Sequence, residues 1–302
     1  MAYKILHADC LEWLREAQDS SFHTLVTDPP FGMREYEPGE LEKLRKGKGG
    51  VWRIPPAMGG VRRAPVPRFT ILTSEDARRI YQFFRAWASL VDRVLVPGGH
   101  VFMASSPLLS HVVCAAICEG GFEKRGEIVR LVRTLRGGDR PKGAEAEFSE
   151  VSAMPRACYE PWLVFRKRFH GTLAANLRRW GTGGLRRPSR DKPFPDVIAS
   201  GRTPRSERAL APHPSLKPQK FLRQLVWAAL PSGRGSVLDP FAGAGSTLAA
   251  AEALGCNSVG VEIDKKYVEI ARRSVPRLAR LEVDVDFEDE EGLPLFATAS
   301  TG

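Results

Sequence analysis

The 302-residue sequence predicts an α/β fold, a mostly parallel sheet covered by helices on both faces. Three observations predict it. Short strand-like runs alternate with amphipathic helical runs along most of the chain. A strand, a tight glycine turn and a helix start follow one another over residues 237–247. The apolar share, 43% of residues, supports a buried core for one large domain or two ordinary ones.

Taken in order, Lys4 to Ala8 is a strand-like run and Leu11 to Ala17 a helix-like one. His23 to Thr27 is a second strand, ended by Pro29 and Pro30, neither of which can donate to a ladder. Residues 34–70 are rich in Gly, Pro, Lys and Arg and have no period, as in a functional or disordered loop. Helical spacing returns with Ile80, Phe83, Phe84, Trp87, Leu90, Val91, Val94 and Leu95, with Thr73 or Ser74 as N-cap. Pro97-Gly98-Gly99 reads as a turn into a strand at 100–104, followed by a helix at about 107–119 and strands at 127–134 and 161–166. Gly, Pro and Arg dominate residues 169–212, an insertion or small subdomain. A helix striped by Phe221, Leu222, Leu225, Val226, Ala229 and Leu230 follows. The chain then alternates strand (236–239), helix (246–254), strand (258–263) and a last helix striped by Tyr267, Ile270, Ala271, Ser274, Val275 and Leu278.

The net charge of +10 is uneven. Residues 281–302 carry seven acids and no Lys or Arg, which leaves +17 on residues 1–280. Arg166 to Pro212 holds twelve Lys/Arg against three acids, a block suited either to a polyanionic partner or to a solvated surface. The acidic tail lacks the glycine turn and spacing of a metal loop and reads as disordered. No run reaches the roughly 20 apolar residues of a membrane span, and the N-terminus has no basic-then-apolar signal pattern. The five scattered cysteines suit reduced thiols in a cytoplasm better than a disulfide framework or metal cluster.

Two motifs carry chemistry. Val237 to Thr247, with Asp239, Phe241, Gly243, Gly245, Ser246 and Thr247, is a strand–glycine turn–helix that lets backbone approach a ligand. No Lys follows Gly245, so a phosphate-binding loop of the Gly-Lys-Ser/Thr type is excluded, and the third glycine of a dinucleotide site is missing. Glu262 ends the next strand, where a carboxylate can take two hydrogen bonds from a ribose diol. On these residues alone a dinucleotide, S-adenosyl-L-methionine and a purely structural turn all remain open. Asp28-Pro29-Pro30-Phe31 is more specific. The lone pair of an exocyclic amine is delocalised into its ring, so methylation needs acceptors that turn it out of plane. The Asp28 carboxylate and the Pro29 carbonyl can accept from that amine, the prolines fix φ, and Phe31 offers a stacking face for an extruded base. Such chemistry asks for positioning and needs neither a strong base nor a metal. The competing reading is a strand-ending turn with a capping Asp.

Together these motifs resemble the β group of bacterial DNA amino-methyltransferases, the N6-adenine and N4-cytosine enzymes, in which the catalytic half precedes the cofactor half. Thr27 to Gly32 resembles the catalytic motif and Val237 to Thr247 the cofactor loop. Gly260-Val261-Glu262-Ile263-Asp264 is similar to the ribose-binding strand. His213 to Pro218 resembles the segment that closes over the methionine part of the cofactor, which would bring in His213 and Lys217. His7-Ala8-Asp9-Cys10 resembles the strand end that reads the cofactor adenine, and residues 94–99 and 159–167 resemble two further family segments. The resemblance spans most of residues 3–275. It implies a circularly permuted Rossmann-like methyltransferase with a seven-stranded sheet and a small basic target-recognition insertion. Residues 1–167 would be the catalytic half, with a flexible loop at 34–70 that could clamp DNA. Residues 168–211 would be the target-recognition region, 212–280 the cofactor half and 281–302 a disordered tail. The implied cofactor is S-adenosyl-L-methionine, the partner DNA, with a cognate restriction endonuclease and a homodimer as further expectations. Two features depart from the pattern: the recognition region is short, and Phe31 stands where Tyr is common. Asp at position 28 leans toward adenine N6 over cytosine N4. A non-catalytic nucleic-acid-binding module regulated by a nucleotide is the alternative from another class, and in it Asp28 would be dispensable.

Overall fold

The computed structural model describes residues 3–30, 57–58, 61–62, 74–132, 140–141, 143–153, 155, 157–283 and 285. Phe31, nearly all of the 34–70 loop and most of the acidic tail therefore lie outside the described residues. Strands β1 (Tyr3–His7) and β2 (Phe22–Thr27) flank helix α1 (Cys10–Glu16), and β3 (Ala57–Met58) and β4 (Val61–Arg62) pair as a small antiparallel ribbon. Then come α2 (Ser74–Val94), β5 (Leu95–Ala104), α3 (Ser110–Glu119), β6 (Glu123–Leu131) and β7 (Tyr159–Arg166). The basic insertion supplies α4 (Leu173–Trp180), β8 (Val197–Ala199) and α5 (Arg205–Leu210). Helix α6 (Gln219–Ala229), β9 (Ser236–Asp239), α7 (Ser246–Ala253), β10 (Asn257–Glu262) and α8 (Lys265–Ala279) complete the chain.

The main sheet has the order β1-β10-β9-β2-β5-β7-β6-β8. It has eight strands, one more than expected. The eighth is β8, which pairs in parallel with β6 (Val129↔Val197 to Leu131↔Ala199) and covers backbone groups that an edge strand would leave open. Only β7, among the strands of this sheet, runs antiparallel to its neighbours β5 and β6. A second correction concerns Pro97-Gly98-Gly99, which does not precede the strand but lies inside β5. The Gly98 amide donates to the Lys167 carbonyl (3.2 Å) and the Lys167 amide to that of Gly99 (2.8 Å), so the two glycines stay bonded across to Lys167 although Pro97 has no donor to give.

Strand alternation assigns the layers. Leu25, Val101, Met103, Leu163, Phe165 and Leu238 face α1, α2 and α3, where Leu14, Phe84, Trp87, Val91, Val113 and Ile117 are buried. Their neighbours Val26, Phe102, Ala104, Trp162, Val164 and Val237 face the other way, onto Phe221, Leu222, Leu225 and Val226 of α6 and Ala250 and Ala251 of α7. Period 2 along each strand thus fills two cores with one sheet. Helix α8 packs on α7 and β1 through Val268, Ala271, Val275 and Leu278. It tolerates Pro276 because the Arg272 carbonyl, which loses its helical donor there, accepts from the Tyr3 hydroxyl (3.1 Å).

Asp9 is the N-cap of α1, its carboxylate accepting from the amides of Leu11 (2.8 Å) and Glu12 (3.0 Å). Asp9→Ala is expected to cost about 1 kcal/mol of stability, a lowered urea midpoint at unchanged m-value. The insertion is tied to the sheet by polar contacts. The Asn176 side-chain amide donates to the carbonyls of Pro97 (3.0 Å) and Thr182 (2.8 Å), and the Arg166 guanidinium bonds the Gly183 carbonyl (2.9 Å) and Glu123 (2.7 Å) while covering the Phe169 ring. No helix among the described residues is long and apolar enough to cross a membrane.

Candidate active site

Two strands, far apart in sequence, bring the two motifs together. β2 lies beside β9 in parallel (Thr24↔Val237, Leu25↔Leu238), so Asp28 and Asp239 emerge at the same, carboxyl edge of the sheet. That edge is where open α/β sheets bind ligands. The Thr27 hydroxyl donates to the Asp239 carboxylate (2.6 Å), locking the two strand ends. One cleft is lined there by Asp28, Trp162, His213, Lys217, Asp239, Phe241, Gly243, Ser246 and Thr247, among others. Pro29 is buried and Pro30 exposed.

The glycine turn is built by its own side chains. Asp239 accepts from the Phe241 amide (3.1 Å), folding the chain back at Pro240, while the Phe241 ring stacks on Trp87 of α2 with centroids 6.1 Å apart. Gly243 (φ +50°) and Gly245 (φ +84°) take left-handed backbone, and Gly245 precedes α7 as its N-cap. A Cβ on Gly243 would sit 3.1 Å from the His213 ring, and one on Gly245 would sit 2.4 Å from Val275. The two glycines therefore serve different purposes. The first keeps the cleft open, and the second lets α7 pack against α8.

Glu262 is fixed by two backbone donors, Gly243 (2.9 Å) and Asp264 (2.8 Å), one to each carboxylate oxygen. Each oxygen keeps a further lone pair for a ligand hydroxyl. His7 pairs with Glu262 in the β1–β10 register, which carries Asp9 and Cys10 next to that carboxylate, and Ile263 follows it 69% exposed. Asp9, Cys10, Glu262 and Ile263 thus form a group beside the cleft, joined to it through Gly243, whereas Gly245 is turned into the packing behind it. Burial, reinforced by the Asp9 charge, pushes the Cys10 thiol up to about 12, so it remains a neutral small side chain.

His213 accepts from the Ser215 amide at Nδ1 (3.1 Å), which puts its proton on Nε2, and its ring meets the edge of Tyr267 at 4.4 Å. Burial, then the Lys217 charge, lowers it to about 4, so it is a neutral donor at ordinary pH. Lys217 does not lie free over the cleft. Its ammonium forms an ion pair with Asp28 and a second with Glu160 of β7 (3.1 Å). Glu160 is in turn bonded by Arg130 of β6 (2.6 Å). Burial and the Glu160 charge hold the Asp28 carboxyl above its ordinary range against the pull of Lys217. For Glu160, burial is outweighed by Lys217 and Arg130, and its carboxyl is lowered. Glu160, Arg130 and the cleft-lining Trp162 were not singled out from sequence. The one local signal was an acid set beside Pro161 at the start of an apolar strand.

Burial raises Asp239 to about 6 from 3.8, against the hydrogen bonds of Thr27, Thr247 and Phe241. A carboxyl raised by folding favours the fold while protonated, an advantage held below about pH 4 and lost as pH rises through about 6. Wild type is therefore expected to lose up to about 3 kcal/mol between pH 4 and pH 7 that Asp239→Asn keeps. Urea melts at a series of pH values measure the difference, and parallel profiles would contradict it.

Known proteins resemble this chain in sequence and in fold. A family model described as DNA methylase, of N6 and N4 methyltransferases, matches residues 22–273. The Type II methyltransferase M2.DpnII of Streptococcus pneumoniae is 23% identical over 270 residues, covering 89% of this chain and 88% of that one. M2.LlaDCHI of Lactococcus lactis subsp. cremoris is also 23% identical, over 274 residues, with 89% and 87% covered. Among solved structures, the fold is shared with the M1.HpyAVI–SAM complex (TM-score 0.57, 16% identity, covering 93% of this chain and 100% of that one). It is shared too with the cytosine-N4-specific PvuII DNA methyltransferase (TM-score 0.57, 14% identity, 95% and 89% covered). With a family match over most of its length, and with the acidic Asp28 turn and a glycine turn meeting in one cleft, this chain belongs to the DNA methylase family of N6-adenine and N4-cytosine methyltransferases.

Proposed function

We propose that the protein is a site-specific DNA methyltransferase that transfers the methyl group of S-adenosyl-L-methionine to the exocyclic amine of a DNA base, N6 of adenine in preference to N4 of cytosine. The single observation that carries this reading is the shared cleft of Asp28 and the 239–247 turn. The residues present fit the cofactor. Gly243 leaves open the space that a Cβ would fill against His213, and Glu262 is held by two amides with lone pairs to spare for a ribose diol. Ile263, Asp9 and Cys10 are the residues that would hold the adenine ring, and Ser246 and Thr247 at the start of α7 would serve the methionine part.

When bound, S-adenosyl-L-methionine would supply an electrophilic methyl carbon on a sulfonium, whose carbon–sulfur bond breaks as the amine takes the methyl and which leaves as the neutral thioether S-adenosyl-L-homocysteine. The chain supplies position and charge. The Asp28 carboxylate accepts one N–H of the target amine, and the Pro29 carbonyl is the second acceptor. This turns the lone pair toward the methyl while the paired prolines keep both acceptors still. As the new bond to carbon forms, the amine becomes cationic beside an anionic Asp28, a match that is strongest in the transition state. The amine then sheds one proton, which Asp28 can take. The basic insertion 168–211 is the surface for target DNA, and Phe31 and the 34–70 loop are candidates for stacking and clamping. The reading extends to a cytoplasmic setting, to a cognate restriction endonuclease acting on the same sequence and to a homodimer.

The test is transfer of label from methyl-labelled cofactor to unmethylated duplex DNA, single strands and RNA, followed by nucleoside mass spectrometry. N6-methyldeoxyadenosine in duplex DNA is expected. Label found only as N4-methyldeoxycytidine favours the cytosine alternative. Label in RNA alone, or cofactor binding with no transfer to any DNA, overturns the reading.

A further inference from the structure

Behind Asp28 the side chains form a row of alternating charge that none of the functions above requires. Arg130, Glu160, Lys217 and Asp28 follow one another, plus, minus, plus, minus. Their side chains are only 6%, 20%, 11% and 22% exposed, so solvent screens them weakly. The row starts at Arg130 of β6, outside the residues that line the cleft. Arg130 Nε donates to the Ser200 hydroxyl (3.0 Å) and Nη2 to the Gly201 carbonyl (3.0 Å), while the guanidinium lies 5.1 Å from the centre of the Phe221 ring. Three fixed contacts thus hold Arg130 in one orientation, and its remaining nitrogen reaches Glu160. Glu160 divides its two oxygens, one to Arg130 and one to Lys217.

Resting on the methyl-transfer reading above, we propose that Arg130 and Glu160 are positioning residues for Asp28. Arg130 satisfies Glu160, and Glu160, so satisfied, holds Lys217 where its ammonium faces Asp28 without being drawn away from it. The geometry supports this ordering. Lys217 sits between two carboxylates and must be shared, and the share that Asp28 receives depends on how much of the Glu160 charge Arg130 neutralises. The charged groups that face Asp28 are Lys217 from the segment before α6, Glu160 from β7, Arg130 from β6 and Asp239 from β9. Of these, Lys217 is the one that forms an ion pair with Asp28; Arg130 and Glu160 act on the carboxylate through it and through the field of their own charges.

The experiment reads the acid limb of the kcat–pH profile, on which activity falls as Asp28 takes up a proton. Arg130→Met leaves Glu160 unsatisfied and pulls Lys217 toward it, so the limb moves to higher pH and kcat at neutral pH falls about tenfold. Glu160→Gln removes a neighbouring negative charge and leaves Lys217 to Asp28, so the limb moves to lower pH. The double variant Arg130→Met/Glu160→Gln returns the limb to near its wild-type position, and kcat to within about threefold. A role of Arg130 in merely holding residues 200–201 would give no such rescue. Shifts of the same sign in the two single variants, no shift in either, or a double variant no better than Arg130→Met would overturn the proposal. If Arg130→Met does not fold, as judged by circular dichroism, the direction of the Glu160→Gln shift decides. A limb unmoved or moved upward overturns it. Absence of methyl transfer in the wild-type protein would be failure of the functional reading itself, seen before any variant is made.

Discussion

Asp28→Ala is expected to lower kcat for methyl transfer by about 10²–10³-fold or more while the protein still folds and still binds cofactor, with Kd within about tenfold of wild type. The size follows from what is lost. Asp28 lies both at the end of β2 and in the cleft beside the glycine turn, and under the proposed mechanism its charge would oppose the cation that develops on the amine. The fold survives because the ammonium left behind is not orphaned: Lys217 keeps its ion pair with Glu160 (3.1 Å). Cofactor binding survives because the Glu262 carboxylate is held by Gly243 and Asp264, neither of which touches Asp28. Equilibrium dialysis with labelled cofactor, set beside single-turnover transfer to DNA, separates the two effects. An alanine variant that turns over at the wild-type rate would favour a nucleotide-regulated DNA-binding module instead.

The second large effect is expected from Gly245→Ala, a change of one methyl group. The new Cβ would meet Val275 at 2.4 Å and Ala271 at 3.2 Å, and the residue would have to hold φ +84°. Overpacking of this kind costs about 1–3 kcal/mol and left-handed backbone about 1 kcal/mol more, for a fall in Tm of roughly 5–10 °C. Because the same residue starts α7 and sets the turn that presents Ser246 and Thr247 to the cleft, cofactor affinity should fall together with stability. Gly243→Ala provides the contrast. Its Cβ points at the His213 ring across the cleft, so it should lose cofactor affinity with a smaller change in Tm. Differential scanning calorimetry and cofactor titration of the two variants would distinguish these roles, and equal melting temperatures for Gly245→Ala and wild type would contradict the packing argument.

Much of this was legible in the sequence, for identifiable reasons. Short apolar runs at β2, β5, β7 and β9, and period 3.6 in α2, α6 and α8, are local signals that gave the alternation of strands and helices, whereas the two cores emerge only when the strands are buried on both faces of one sheet. Asp28 and the 239–247 turn announced themselves because a proline pair and closely spaced glycines constrain backbone in ways that neighbouring residues cannot disguise. What escaped depends on tertiary context. β8 is three residues long in a basic insertion, and only the open edge of β6 makes it a strand. Pro97-Gly98-Gly99 looks like a turn, yet Lys167 pairs with the glycines across to β7. Lys217 was legible only as part of the 213–218 segment, because the carboxylate it pairs with, Asp28, lies 189 residues away. Glu160 and Arg130 look like ordinary strand-end charges until β6 and β7 are set side by side. Asp9, by contrast, carries in the structure the capping role that any Asp before a helix can have, whatever else it contacts when a ligand is bound.

The central claim is that the Asp28 turn and the glycine turn serve one bound cofactor and one extruded base. A crystal structure of the protein with a non-reactive analogue of S-adenosyl-L-methionine tests it most directly. Ribose hydroxyls are expected on Glu262, the analogue's backbone over Gly243, and the position of the transferable methyl opening toward the Asp28 carboxylate. An analogue bound away from the 239–247 turn, or bound there with its methyl position facing away from Asp28, would contradict it.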